Sequence, residues 1–180
     1  MPFSLRGRVA VIDADITTLE LDAIVNAANS ALLGGGGVDG AIHRKAGRGL
    51  LAECRPLNGC PPGQARITGG HNLPVKHIIH AVGPIWRGGN QGESTTLAAC
   101  YTNSLKLCEQ YDCETVAFPG ISTGVYRFPM EKAASIAAET VLQWLEHHEQ
   151  PRHVTFCAFG FKAKKIMAEA LEAALMARDM

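Results

Sequence analysis

The chain has 180 residues, 47% of them hydrophobic, and 17 basic residues balance 17 acidic ones. That length supports one sizeable core, so a single domain over 1–180 is expected. Zero net charge without like-charged blocks argues against general attraction to nucleic acid or to an anionic membrane surface.

No apolar run reaches transmembrane length, and the start, Met1 to Arg8, has no apolar core of signal-peptide size. The cysteines, at positions 54, 60, 100, 108, 113 and 157, include no CxxC pair. They read as small buried hydrophobes in a reducing, cytoplasmic compartment. A zinc site from Cys54, Cys60 and a histidine has poor spacing, so no metal and no cofactor is expected.

In chain order, alternation over Arg8 to Asp15 predicts a first strand, and the short apolar run Asp22 to Ala28 a second, buried one. Four glycines, Gly34 to Gly37, follow. Val38, Ile42 and Ala46 recur every fourth residue, so a helix starts near Val38. Gly47 and Gly49 weaken it and Arg55-Pro56 ends it. Strands are expected over Gln64 to Thr68 and His77 to Val82, then a second glycine-rich loop from Gly83 to Gly92 holding Trp86 and Arg87.

Ser94 fits an N-cap, opening a helix with Leu97, Tyr101, Ser104 or Leu105, and Cys108 inward. Thr115 to Phe118 is a short strand, Gly120 to Phe128 a loop, and Pro129 suits the first turn of a helix with Ala134, Ala137, Val141 and Leu145 on its stripe. His153 to Phe159 is a last strand, and Ile166, Ala170, Leu171, Ala174 and Leu175 mark a last helix. Strands alternating with helices predict an α/β layered fold with a largely parallel sheet. Ligands of such sheets sit beyond the strand carboxyl ends, where Asn26–Asn29, Gly120–Tyr126 and Phe159–Gly160 all fall.

Four glycines before a helix can bring backbone N–H groups close to an anion, with the helix dipole assisting; a merely flexible loop is the plainer alternative. Gly35 to Gly40 matches GxGxxG, but Asn29 to Leu33 separate it from the strand, and the acid at the right distance, Glu53, falls inside a helix. A dinucleotide fold is therefore rejected. So is a P-loop, because no Lys-Ser or Lys-Thr follows the glycines. Gly120-Ile-Ser122-Thr-Gly124 matches a nucleophile elbow, yet Val125 to Phe128 intervene before the next helix. Its other reading is a second anion cradle of hydroxyls and closely spaced N–H donors. Asp39 and His43 share a helix face at i, i+4, which suits either a reacting pair or a carboxylate that merely favours a helix start beside a neighbour.

Together, Asn26-Ala-Ala-Asn29, Gly34–Gly37, Val38-Asp39-Gly40, Ile42-His43, Val82-Gly83-Pro84 and Ile121-Ser-Thr-Gly-Val-Tyr126 resemble the macrodomains, specifically the MacroD-type branch that includes bacterial O-acetyl-ADP-ribose deacetylases. The likeness spans nearly the whole chain. It implies a three-layer α/β/α sandwich with a mixed, largely parallel sheet, and hydrolysis of O-acetyl-ADP-ribose or of ADP-ribose esters on protein Asp and Glu. The alternative is a reader that binds ADP-ribose and cleaves nothing. The implied partners are ADP-ribose, its esters and ADP-ribosylated proteins. An RNA-binding role is disfavoured by the lack of basic clusters.

By that resemblance, Asp15 and the Ile16 N–H would hold adenine and Phe159 would stack on it. Gly36, Gly37, Val38 and Ser122, Thr123, Gly124, Val125 and Tyr126 would wrap the diphosphate. Asn29 would fix the distal ribose, Tyr126 would close over it, and Asp39 would serve the reacting water. Asn26, also placed among the ligand-binding residues, would brace the loop, with His43 supporting Asp39 from behind. Departures from the pattern are Ala14 for glycine, Arg127 and Phe128 for glycine and tyrosine, and Gly160 for an acid. A helix start lowers a carboxylate pKa while a bound diphosphate raises it, so Asp39 is expected to position and polarise water rather than strip its proton.

Overall fold

The computed structural model describes residues 4–179; Met1 to Phe3, which open the stretch inspected for a leader, and Met180 lie outside the described residues. Among those described, the strands are β1 (Val9–Asp13), β2 (Leu21–Ala28), β3 (Ala65–Gly69), β4 (Val75–Val82), β5 (Thr115–Phe118) and β6 (His153–Ala158). The helices are α1 (Gly37–Ala46), α2 (Arg48–Cys54), α3 (Glu93–Gln110), α4 (Met130–His147) and α5 (Phe161–Arg178). The strands form one sheet ordered β1-β6-β5-β2-β4-β3. All pairings are parallel except β3 with β4, which is antiparallel. The expected mixed, largely parallel α/β/α sandwich is the fold observed.

The two-residue period of a strand sorts the core into two halves. From β2, Ala23 and Val25 face one side, with Ile79, Ala81, Val116, Phe118, Val154 and Phe156 of neighbouring strands; α3, α4 and α5 cover them with Leu97, Leu105, Val141, Leu142 and Leu175. Ile24 and Ala28 face the other side with Ile78, Val82 and Ala117, under Ile42 and Ala46 of α1 and Leu50 and Cys54 of α2. Both faces of the sheet are thus dry, as parallel sheets require.

Several boundaries differ from the sequence expectation, each for a local reason. The helix expected from Val38 to Arg55 divides at Gly47, whose φ of +88° is incompatible with a continuing helix. Ser94 is not a cap. Gly92 occupies that position and α3 begins at Glu93, whose carboxylate accepts the N–H groups of Arg87, Gly89 and Gln91 at 2.7–2.9 Å. Those donors outweigh burial and hold Glu93 down at about 2. Pro129 precedes the first turn of α4 instead of lying in it. Arg8 falls outside β1, and Asp15 caps a short 3-10 turn beyond its end. All six cysteines are free and buried. Among the described residues no helix is long and apolar enough to cross a membrane.

Candidate functional site

Parallel pairing delivers the carboxyl ends of β1, β6, β5 and β2 to the same edge. A cleft of about 840 Å³ opens there. It brings together Asp15 and Ile16 after β1, Asn29 after β2, Gly36 to Asp39 at the start of α1, Ser122 to Tyr126 after β5 and Phe159 after β6. These loops are remote in sequence.

At one end, Asp15 Oδ1 accepts from Thr17 N at 2.9 Å and Thr17 Oγ1 at 2.6 Å. Those bonds hold its carboxyl below the usual range. Oδ2 faces Lys45 Nζ at 3.8 Å and keeps its capacity to accept. Phe159 is 86% exposed and Val125 91% exposed, two large apolar side chains bared at the cleft wall. Such exposure is uneconomical in a core and useful against a flat apolar ligand face.

In the middle, the first N–H groups of α1 have no intrahelical acceptor and the helix dipole adds to their pull on anions. Across from them, Ser122 takes the left-handed conformation at φ +67° and Phe128 N–H closes the loop onto Ser122 O at 2.9 Å. The Trp86 N–H donates to Tyr126 O at 2.8 Å, and the Trp86 ring packs 4.8 Å from Phe128. The glycine-rich loop after β4 therefore buttresses the one after β5. Phe128 is buried there against Trp86, a setting for an apolar ring. Arg127 sits at φ +64°, a conformation that favours glycine.

At the far end, Asn29 Nδ2 donates to Gly34 O at 3.0 Å, while its Oδ1 accepts from Leu32 N–H at 3.2 Å. Asp39, 5% exposed, stands opposite. A methyl group on Gly35 would lie 3.0 Å from Asp39 Oδ2 and 3.2 Å from Asn29 Nδ2, so the bare glycine leaves both side chains the room they occupy. Asp39 Oδ1 accepts from Asn26 Nδ2 at 2.8 Å and lies 3.5 Å from His43 Nε2. Burial pushes the Asp39 carboxyl above its ordinary value, against the lowering by Asn26 and His43. This corrects the expectation that the helix start would hold it low; desolvation is the larger effect.

Of the residues singled out in the sequence, Asn26 does not line the cleft. It is fully buried behind Asp39, and its Nδ2 also donates to His80 Nδ1 at 3.1 Å. His43 lies behind Asp39 likewise, with Nε2 buried and lacking a hydrogen bond. Sequence reasoning missed His80, a histidine inside the apolar run of β4, and Arg44, which the helical spacing of α1 brings to the cleft wall. No group of three His, Cys, Asp or Glu suited to a metal occurs among the described residues.

The Macro domain family model matches residues 25–137. This chain belongs to the macro domain family. A macro domain-containing protein of Mesorhizobium japonicum is 54% identical over 166 residues, covering 92% of this chain and 94% of that protein. Human ADP-ribose glycohydrolase MACROD2 is 57% identical over 159 residues; the match covers 87% of this chain and 37% of that longer protein. Among solved structures, the Oceanobacillus iheyensis macrodomain with ADP superposes with a TM-score of 0.89 at 39% identity, covering 94% of this chain and 92% of that one. The Trypanosoma brucei macrodomain in complex with ADP-ribose gives 0.85 at 39% identity, over 91% of this macrodomain and 69% of that chain.

Proposed function

We propose that this macrodomain binds ADP-ribose in the cleft and hydrolyses its esters, either O-acetyl-ADP-ribose or ADP-ribose ester-linked to Asp or Glu of a protein. The observation that carries the proposal is that Asp39 Oδ2 and Asn29 Nδ2 both border the bare Cα of Gly35 and both residues line the cleft. The name of human MACROD2 and the ADP-ribose bound by the Trypanosoma brucei macrodomain support it.

In this reading adenine stacks on Phe159, its amino group donates to Asp15 Oδ2 and its ring accepts the Ile16 N–H. The diphosphate lies between the Gly36–Val38 N–H groups and those of Ser122–Tyr126. Asn29 fixes the distal ribose and Tyr126 closes over it. Asp39 then holds a water against the ester carbonyl. Its raised pKa brings its basicity nearer to neutrality, and orientation of the water supplies a large share of the acceleration. Attack of that water releases ADP-ribose and the free acid. The buried free thiols fit a reducing, cytoplasmic setting.

The test follows ADP-ribose release from O-acetyl-ADP-ribose and from a glutamate-ADP-ribosylated protein, with calorimetric binding of ADP-ribose alongside. Turnover of at least one ester is expected, and the faster one identifies the preferred substrate. Tight binding without turnover of either would make the protein a reader.

A further inference from the structure

Behind the cleft runs a buried polar chain in an otherwise apolar layer. On the α1–α2 side of the sheet, Asn26 of β2 and His80 of β4 are register partners. Both have 0% exposure. Asn26 Nδ2 lies 2.8 Å from Asp39 Oδ1 and 3.1 Å from His80 Nδ1. His80 Nε2 lies 3.0 Å from Thr68 Oγ1 of β3. Thr68 Oγ1 lies 3.1 Å from Gly69 O, and the Cys54 thiol of α2 lies 4.0 Å from the imidazole.

Donor and acceptor chemistry fixes the direction of this chain. An amide nitrogen only donates, so His80 Nδ1 must be the bare, accepting nitrogen. A neutral ring then carries its proton on Nε2 and donates to Thr68, whose hydroxyl in turn donates a hydrogen bond to Gly69 O. Burial pushes His80 down to about 3, which keeps the ring neutral throughout the physiological range. Reversing the Asn26 amide would set its oxygen against the Asp39 carboxylate. Both Asn26 N–H bonds are therefore committed, while its Oδ1 is buried and unpartnered. That orphaned oxygen marks a side chain held by its neighbours against its own hydrogen-bonding preference.

We propose that His80, held as the neutral Nε2–H tautomer between Asn26 and Thr68, is a positioning residue: it orients the Asn26 amide, which pins Asp39 Oδ1 and leaves Oδ2 alone to face the cleft beside Asn29. The proposal rests on the hydrolase reading for its effect on turnover, but not for its effect on Asp39 itself. The groups facing Asp39 are Asn26 from β2, His43 from its own helix at 3.5 Å and Asn29 beside Gly35. His80 and Cys54 stand behind Asn26, and burial raises that thiol to about 11, so both are neutral. Loss of the oriented amide removes a donor that favours the ionised carboxylate, so the Asp39 titration must move to higher pH.

The experiment compares the parent with His80→Leu, His80→Asn and Thr68→Val. First, imidazole 15N spectra of the parent should show His80 as the single Nε2–H tautomer from about pH 5 to 8. Second, 13C carboxyl titration should place Asp39 at higher pH in His80→Leu than in the parent. His80→Asn, whose side-chain oxygen replaces the Nδ1 acceptor, should return it towards the parent value. Third, kcat on the ester should fall about 10-fold in His80→Leu with KM and the ADP-ribose Kd within about 2-fold, and its acid limb should follow the Asp39 titration. If His80→Leu does not fold, Thr68→Val carries the same test with a smaller shift of the same sign. An Nδ1–H tautomer, an unmoved Asp39 titration, or no recovery in His80→Asn overturns the proposal. A parent that titrates as expected but turns over nothing contradicts the hydrolase reading alone.

Discussion

Asp39 lies in the first turn of α1, where the helix dipole favours its ionised form, and it is buried, which favours the neutral one. Burial prevails and the carboxyl is raised. Between its ordinary and its raised pKa, the folded protein holds a proton that the unfolded chain has released. Stability from this group is therefore lost as pH rises through that window, and at neutral pH the ionised Asp39 opposes folding. Asp39→Asn, which still accepts from Asn26, should raise Tm at pH 7 while turnover collapses; a lower Tm would contradict this. Gly35 is the neighbouring control. Gly35→Ala should drive Asp39 and Asn29 apart and lower kcat about 100-fold, read by steady-state kinetics, because misplacement near 1 Å carries that penalty. That Asn29 and Asp39 sit at one cleft is legible in sequence because the segment that joins them is local. The ionisation of Asp39 is not, since it depends on burial under strands and on Asn26, fixed by a histidine from β4.

Arg8 shows what local pattern misses at the scale of elements. Alternation assigns it to the first strand. In the fold its guanidinium is buried and donates to the carbonyls of Leu145, His148, Glu149, Pro151 and Arg152 at 2.8–3.1 Å. It thereby caps the carboxyl end of α4, where a cation also complements the helix dipole. Arg8→Ala would leave these carbonyls without their donor in a largely buried site. A loss of about 3 kcal/mol or more is expected in urea unfolding at neutral pH. A loss below about 1 kcal/mol would show that water replaces the guanidinium. The start of α3 is a similar case. Ser94 satisfies the cap rule by composition, but Glu93 gathers the preceding loop onto itself, an arrangement set by the loop's path. The break at Gly47 was visible only as a weakness, because one glycine is compatible with a bent helix or with two.

The whole molecule is governed by where the strands end. The alternation of strands and helices makes the layered, largely parallel fold readable. The order β1-β6-β5-β2-β4-β3 is not, because β2 lies between β5 and β4, its partners by crossover connections. That order carries Phe159 to the same cleft as Asn29, and it sets His80 behind Asn26. A buried neutral histidine also couples the fold to acid. With His80 lowered to about 3, the unfolded chain takes up a proton below about pH 6.5 that the folded one refuses. Its stabilising contribution is full above that pH and is lost as pH falls towards 3. Urea unfolding between pH 7 and 4 should show the parent losing stability more steeply than His80→Leu; parallel profiles would contradict a neutral buried ring.

The most direct test is the response of Asp39→Ala in one preparation to two measurements, ester turnover and calorimetric binding of ADP-ribose. Turnover should fall about 100-fold or more while Kd stays within about 3-fold of the parent, the split that the proposed role of the carboxylate on the reacting water requires. Equal loss of both in a folded protein, or turnover that survives, would contradict an Asp39-dependent hydrolase.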